Sequence, residues 1–198
     1  MMRFLKALRA DTQGVTIVEF ALVAPVMLLF IGGILEIGYV TFARSTLESS
    51  ILAAARASRV TECPNENAEE LAEQLTKRMS VIMSADGAPP TLSVQSYGQK
   101  FGDVGNPEPF DDTDGNGTHS VGESYTDVNG NGEWDADMGQ DGHYGTFGEV
   151  VEFKASFNVP SLFPWIAQRI NSGQNFYTIE SVTVIRNEPY EDASCSIT

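Results

Sequence analysis

Residues 14–39 read GVTIVEFALVAPVMLLFIGGILEIGY. The run is apolar almost throughout, and from Phe20 to Leu35 it holds no charged residue. As a helix, about 25 residues rising roughly 1.5 Å each span the ~30 Å hydrocarbon core of a bilayer. One carboxylate, Glu19, sits near the start. An ionised side chain inside such a segment costs about 2.5–3.5 kcal/mol on insertion scales, so Glu19 calls for a partner or a role. A removable secretory signal fits poorly, because its apolar core is only about 7–15 residues long and ends at a small-x-small site. The segment is expected to stay in place as a membrane anchor.

Upstream lies MMRFLKALRADTQG, with Arg3, Lys6 and Arg9. Positive charge flanking a span marks its cytoplasmic side, which puts the bulk of the chain on the exoplasmic side. The 198 residues leave room for one anchor and one modest domain. The formal net charge is -15, with acids dominating after the span, which argues against a nucleic-acid partner.

The basic leader resembles that of a type IV prepilin. The string GVTIVEFALVAPVMLLF, followed by GILEIGYVTFARSTLESSILAAARASR, resembles the TadE/TadG-like family of minor pseudopilins from tight-adherence (Flp-type) pilus systems. The resemblance runs to about residue 60. It rests on Gly14, the triplet Glu19-Phe20-Ala21, Pro25, Glu36 and the Ala/Arg-rich continuation. It implies that residues 1–14 are a leader cut by a prepilin peptidase between Gly14 and Val15, which leaves Glu19 as the fifth residue of the product. It further implies that Glu19 pairs with the freed amine of a neighbouring subunit, which would offset the desolvation of both charges. The implied role is biogenesis or assembly of the pilus, with other pilins or pseudopilins, the assembly platform and the lipid bilayer as partners. The implied location is the bacterial inner membrane, single-pass, N-terminus cytoplasmic and C-terminal domain periplasmic or carried into the surface pilus.

Residues 15–60 read as one continuous helix that carries an apolar face of Phe42, Leu47, Ile51, Ala54 and Ala55. Pro25 is expected to kink it or free a carbonyl, and Glu36 to sit at the membrane edge in a surface role. After a break, Asn67 and Glu70 have capping-box spacing. Leu71, Leu75, Met79 and Ile82 then recur at helical spacing, with Met79 and Met83 expected in the core. Residues 91–97, 149–159 and 177–187 alternate as strands. In the second, Val151, Phe153, Ala155 and Phe157 share a face; in the third, Ile179, Val182, Val184 and Ile185 are the apolar contacts. The expected fold is α+β and pilin-like. A long N-terminal transmembrane helix continues into a small exoplasmic domain, residues 61–97 and 149–198, with a second helix and a short antiparallel sheet. Between the last two strands, PSLFPWIAQRI (160–170) reads as a short helix covering one end of the sheet, in preference to a membrane-interface segment carrying Trp165. The two cysteines, Cys63 and Cys195, are expected to bridge on the oxidising side of the membrane; two free thiols are the other reading. In the loop-entropy treatment a bridge that long contributes about 4–5 kcal/mol.

Residues 98–148 form an insertion rich in Asp, Asn and Gly. A loop of that length inside a small domain needs something to order it. Two stretches repeat at an offset of 15, EPFDDTDGNGTHSVG from Glu108 and ESYTDVNGNGEWDAD from Glu123. The first matches the EF-hand loop: Asp112, Asp114 and Asn116 at positions one, three and five, Gly117 at six, the Thr118 carbonyl at seven and Glu123 at twelve. The second has Asp127, Asn129, Asn131, Gly132 and Glu133 in register, but Met138 at position twelve; Asp135, Asp137 or Asp141 would have to substitute. Alternating oxygen side chains suit a hard cation, so the expectation is one or two Ca2+ ions, bound at the roughly 10⁻⁴–10⁻³ M affinity of extracellular modules. Zinc through His119 and His143 suits such a loop poorly. Phe110, Tyr125, Trp134 and Tyr144 are expected to pack a miniature core there.

No nucleophile motif or metal-hydrolase spacing stands out, and the chain holds only two His, so an enzyme is not expected. The alternative to a processed pseudopilin is an uncleaved, inner-membrane-anchored calcium-binding adhesin or sensor. A membrane-tethered hydrolase is a weaker competitor.

Overall fold

The computed structural model describes residues 13–59, 68–146 and 148–187. Residues 1–12 of the leader, Asn67, Cys63 and Cys195 lie outside the described residues, and with them the capping box and the disulfide pairing.

Helix α1, Gln13–Arg59, runs 47 residues and continues through Pro25. Ile17–Ser58 is the helix among the described residues that is long and apolar enough to cross a membrane. Its first turns, through Ile31, stand clear of the domain, with Ile17, Phe20, Leu22, Leu28 and Phe30 all exposed. Its second half is the spine of the core. There Ala43, Leu47, Ile51, Ala54 and Ala55 are buried one or two turns apart, as a single apolar stripe requires. Phe42 was expected on that stripe and is exposed; Ala43 takes the position, where a small side chain lets the helix approach the sheet.

Helix α2, Ala68–Met79, begins with Glu69 and Glu70 and ends with Lys77 and Arg78, the charge order that complements a helix dipole. It buries Leu71, Leu75 and Met79 against α1. A turn closed by the Ile82 N–H on the Met79 carbonyl (2.9 Å) buries Ile82 but leaves Met83 exposed, so Met83 is not core.

The sheet has four antiparallel strands in the order β2-β1-β3-β4. Strand β1 is Thr91–Tyr97, β2 Gln140–Asp141, β3 Val150–Pro160 and β4 Phe176–Arg186. The central strand β3 pairs Val94↔Phe153 on one side and Phe157↔Ile179 on the other. Its inward residues Val151, Phe153, Ala155, Phe157 and Val159 are buried against α1 and α2, as a two-residue alternation dictates. In β4, Ile179 joins that core, whereas Val182 faces outward and is exposed. The fourth strand, β2, comes from within the insertion and pairs with Gln95 and Ser96. Between β3 and β4 the short helix α3, Pro164–Ile170, lies on the side of α1, with Ala167 as its buried residue. Long apolar helix, accessory helices and small antiparallel sheet together fit an α+β pilin-like plan.

Candidate functional site

The insertion folds as two paired copies of one unit. Its 15-residue repeats meet at an antiparallel bridge between Phe110 and Tyr125. The Asp111 N–H donates to the Ser124 carbonyl (2.9 Å) and the Thr126 N–H to the Pro109 carbonyl (2.8 Å). Moving the donor on by 15 and the acceptor back by 15 turns one pair into the other, so the repeats are related by a local two-fold.

In the first loop the Asp112 carboxylate accepts from the N–H groups of Gly115 (2.8 Å) and Gly117 (2.9 Å). In the second, Asp127 accepts from Gly130 (2.6 Å) and Gly132 (2.9 Å). Gly117 and Gly132 have φ of 77° and 83°, the left-handed turn that glycine makes without strain. Asn116 Oδ1 receives the Thr118 N–H (2.7 Å), as Asn131 Oδ1 receives that of Glu133 (2.7 Å).

The closing carboxylates are exchanged between repeats. Glu123 accepts from the N–H groups of Thr113 and Ser120, each at 2.8 Å. Glu108 accepts from those of Val128 (2.6 Å) and Asp135 (3.2 Å), the positions 15 residues on. Glu108 therefore stands to the second loop as Glu123 stands to the first. It is 0% exposed, and its own carbonyl accepts the Trp134 indole N–H at 3.0 Å. A search for a downstream twelfth ligand misses Glu108; the repeat alignment, which places it on Glu123, was the signal that points to it.

Of the other candidates for the second loop, Asp135 is drawn in, its Oδ2 accepting from the Asn129 (2.8 Å) and Asn131 (2.6 Å) amides. The structure places Asp137 elsewhere, beside the Tyr97 hydroxyl (3.1 Å), and Asp141 on the Gln95 amide (2.7 Å). The Tyr97 pKa is raised by burial first and by Asp137 and Glu152 second, so its hydroxyl stays protonated and ties the insertion to β1.

In the first loop one oxygen each from Asp112, Asp114 and Glu123 lies within 4.8 Å of the others. That is the span of a single ion with oxygens at about 2.3–2.6 Å on opposite sides. The donors are all oxygens, which fits a hard divalent cation rather than a soft one. The N–H groups of Gly117 and Ser120 are the main causes that lower the pKa of Asp112 and Glu123, respectively, so both are held as carboxylates. Behind the loops the Trp134 ring stacks on His119 (4.6 Å between centroids), with Phe110 edge-on to both. Tyr125 meets the His119 edge. Tyr144 was expected in this group; it packs on Phe153 in the main core instead.

The second polar feature lies on α1. Glu36, expected at the surface, is 5% exposed. Its Oε2 accepts the N–H groups of Leu162 (3.0 Å) and Phe163 (3.2 Å), which fastens the start of α3 to the long helix. Glu19, by contrast, is exposed on the bare half of α1, and Gly14 and Val15 lie in its first turn.

Among the described residues these features amount to an α+β, pilin-like plan with one membrane-capable helix and a paired-loop insertion. Residues 14–56, most of the long helix, match the family described as TadE-like protein, so this segment is similar to a TadE-like one. No curated protein and no solved structure matches the chain.

Proposed function

We propose that the chain is a minor pseudopilin acting in the biogenesis or assembly of a tight-adherence pilus, with a structural rather than a catalytic role. The observation that carries this reading is the TadE-like match across the apolar helix, which continues into a pilin-like domain. A prepilin peptidase cuts after Gly14. The amine of Val15 then lies one helical turn from Glu19, a cation of ordinary α-amino pKa about 7.7–8.0 near a carboxylate that has no charged neighbour in the apolar run. The domain is periplasmic, as the basic leader directs. Other pilins or pseudopilins and the assembly platform are its partners.

The insertion binds Ca2+, one ion per loop. Asp112, Asp114, Asn116, the Thr118 carbonyl and Glu123 would hold the first. Asp127, Asn129, Asn131, the Glu133 carbonyl, Asp135 and Glu108 would hold the second. The ion supplies positive charge to a segment whose clustered carboxylates otherwise repel, and so fixes the paired loops as a rigid surface.

Intact mass and N-terminal sequencing of the protein from its native membrane test the processing. A product that starts at Val15 is expected. A chain still starting at Met1, in cells with an active prepilin peptidase, would sink the pseudopilin reading in favour of an uncleaved calcium-binding anchor protein.

A further inference from the structure

Helix α3 does not behave as a lid on the sheet. Ala167 is its buried residue, while Leu162, Trp165 and Ile170 are 49%, 58% and 74% exposed. Yet the segment is firmly seated. Glu36 accepts the N–H groups of Leu162 and Phe163 just ahead of the helix, and Phe163 and Ile166 cover Gly32, where an added methyl would already be 3.7 Å from each side chain.

That seat lies within the apolar belt of α1. At the level of Gly32 the rest of the helix surface is Ile31, Ile34 and Leu35, all exposed. A hydrocarbon core of ~30 Å that begins at Ile17 uses about 20 residues and ends near Ile37. From Gly32 to Ile37 the axis rises about 7–8 Å. The depth matches the roughly 5–10 Å at which amphipathic helices lie in the headgroup–acyl boundary. The composition fits too: Leu162, Trp165 and Ile170 are suited to the acyl side, and exposed Arg169 to phosphate headgroups.

We infer that α3 is a second membrane contact, an interfacial helix whose Leu162, Trp165 and Ile170 enter the leaflet on the domain side, so that the domain rests on the bilayer rather than standing off it. Glu36 is then a positioning residue that clamps α3 to the span at the right depth. The inference rests on membrane anchoring by α1, and the experiment separates the two.

The test uses the full chain in phosphatidylglycerol/phosphatidylethanolamine vesicles carrying lipids brominated either near the carbonyl end or near the methyl end of the acyl chain. The emission of the wild type minus that of Trp165→Phe isolates Trp165 and leaves Trp134 in place. The expected result is a blue-shifted Trp165 that is quenched more by the shallow bromines than by the deep ones. If the chain floats with the vesicles but Trp165 is quenched by aqueous acrylamide and by neither lipid, the interfacial helix is overturned and the anchor stands. Shielding of Trp165 that appears only at high protein-to-lipid ratio assigns the face to a second copy and overturns the lipid contact. A chain that fails to float overturns the anchor and the inference together.

Discussion

Glu108 and Glu123 each close the loop that opens beside the other. Glu123 spans the N–H groups of residues 113 and 120, and Glu108 spans those of residues 128 and 135. Neither loop is complete without a carboxylate lying next to its partner's aromatic strand. The Phe110–Tyr125 bridge is what holds the two glutamates in register. Order in one loop therefore helps to fix the residue that the other requires.

This exchange makes the proposed calcium binding separable by mutation. Calorimetric titration of the wild type is expected to show two events in the class of about 10⁻⁴–10⁻³ M. Glu123→Gln should remove the event of the first loop and Glu108→Gln that of the second, each with weakening of the survivor. Met138→Glu, which supplies the absent downstream ligand, should not rescue Glu108→Gln, because the buried Glu108 is the group that closes the loop. Unchanged isotherms in both Gln variants would contradict the assignment.

The same carboxylates set a pH limit in calcium-free protein. Backbone N–H groups lower the folded pKa of Asp112 and Glu123 below the ordinary values. Between the lowered and the ordinary value the unfolded segment binds more protons, so loop order gains with rising pH. The contribution is complete above the ordinary carboxylate range of about 3.9–4.3 and disappears as pH falls through the lowered values. Near-UV circular dichroism of the Trp134–His119 stack should hold from neutrality down into that range and collapse below it. A collapse already at neutral pH would show that these carboxylates do not order the loop unaided.

Much of the fold could be read from pattern, because its elements are strongly periodic. Strand β1 falls at 91–97 as its alternation indicates, and the long helix at Gln13–Arg59 follows from an unbroken apolar and Ala-rich run. What pattern left open was decided by geometry beyond the local period. Phe42 and Ala43 both lie near the apolar stripe, and only the close approach to the sheet selects Ala43. The two-residue strand β2 has no signal of its own and exists because Tyr97 and Gln95 hold the end of the insertion against β1. Glu108 was legible only as a member of the repeat, since EF-hand spacing looks forward from the loop, not back. Glu36 read as a surface acid because its partners, Leu162 and Phe163, lie far along the chain.

Where the insertion meets the sheet, Gly139 lies against the Tyr97 ring. A Cβ at Gly139 would be 2.8 Å from Tyr97 Cζ and 2.9 Å from Cε1. Gly139→Ala must push the ring off Asp137, an overpacking cost of about 1–3 kcal/mol. For a chain of this size that lowers Tm by roughly 2–4 °C per kcal/mol. Gly142→Ala, with open space around it but φ of 70°, separates backbone strain from the clash. Gly139→Ala is expected to melt lower than Gly142→Ala, and to expose the insertion to proteases first. The opposite order would mean that the insertion is not fastened through Tyr97.

The clamp at Glu36 is open to the same kind of test. Its Oε2 is the acceptor for two backbone N–H groups, and its Oε1 is buried. Nearby, the Tyr177 hydroxyl is pushed up in pKa by burial and then by the Glu36 charge, so it remains a neutral phenol beside the carboxylate. Glu36→Ala removes the acceptor and leaves the Leu162 N–H to find another, while the Phe163 N–H keeps the Ser161 hydroxyl oxygen (3.1 Å). An unsatisfied buried donor costs about 1–3 kcal/mol, and the cost is local to the α3 seat. Glu36→Gln keeps an oxygen in place and should retain most of the attachment. In detergent, trypsin cleavage after the exposed Arg169 should accelerate in Glu36→Ala, stay near wild type in Glu36→Gln, and be unaffected by Glu48→Ala, whose partner is Arg44 on the same helix. Equal cleavage across all of them would mean that the packing of Phe163 and Ile166 on Gly32 holds α3 without the carboxylate.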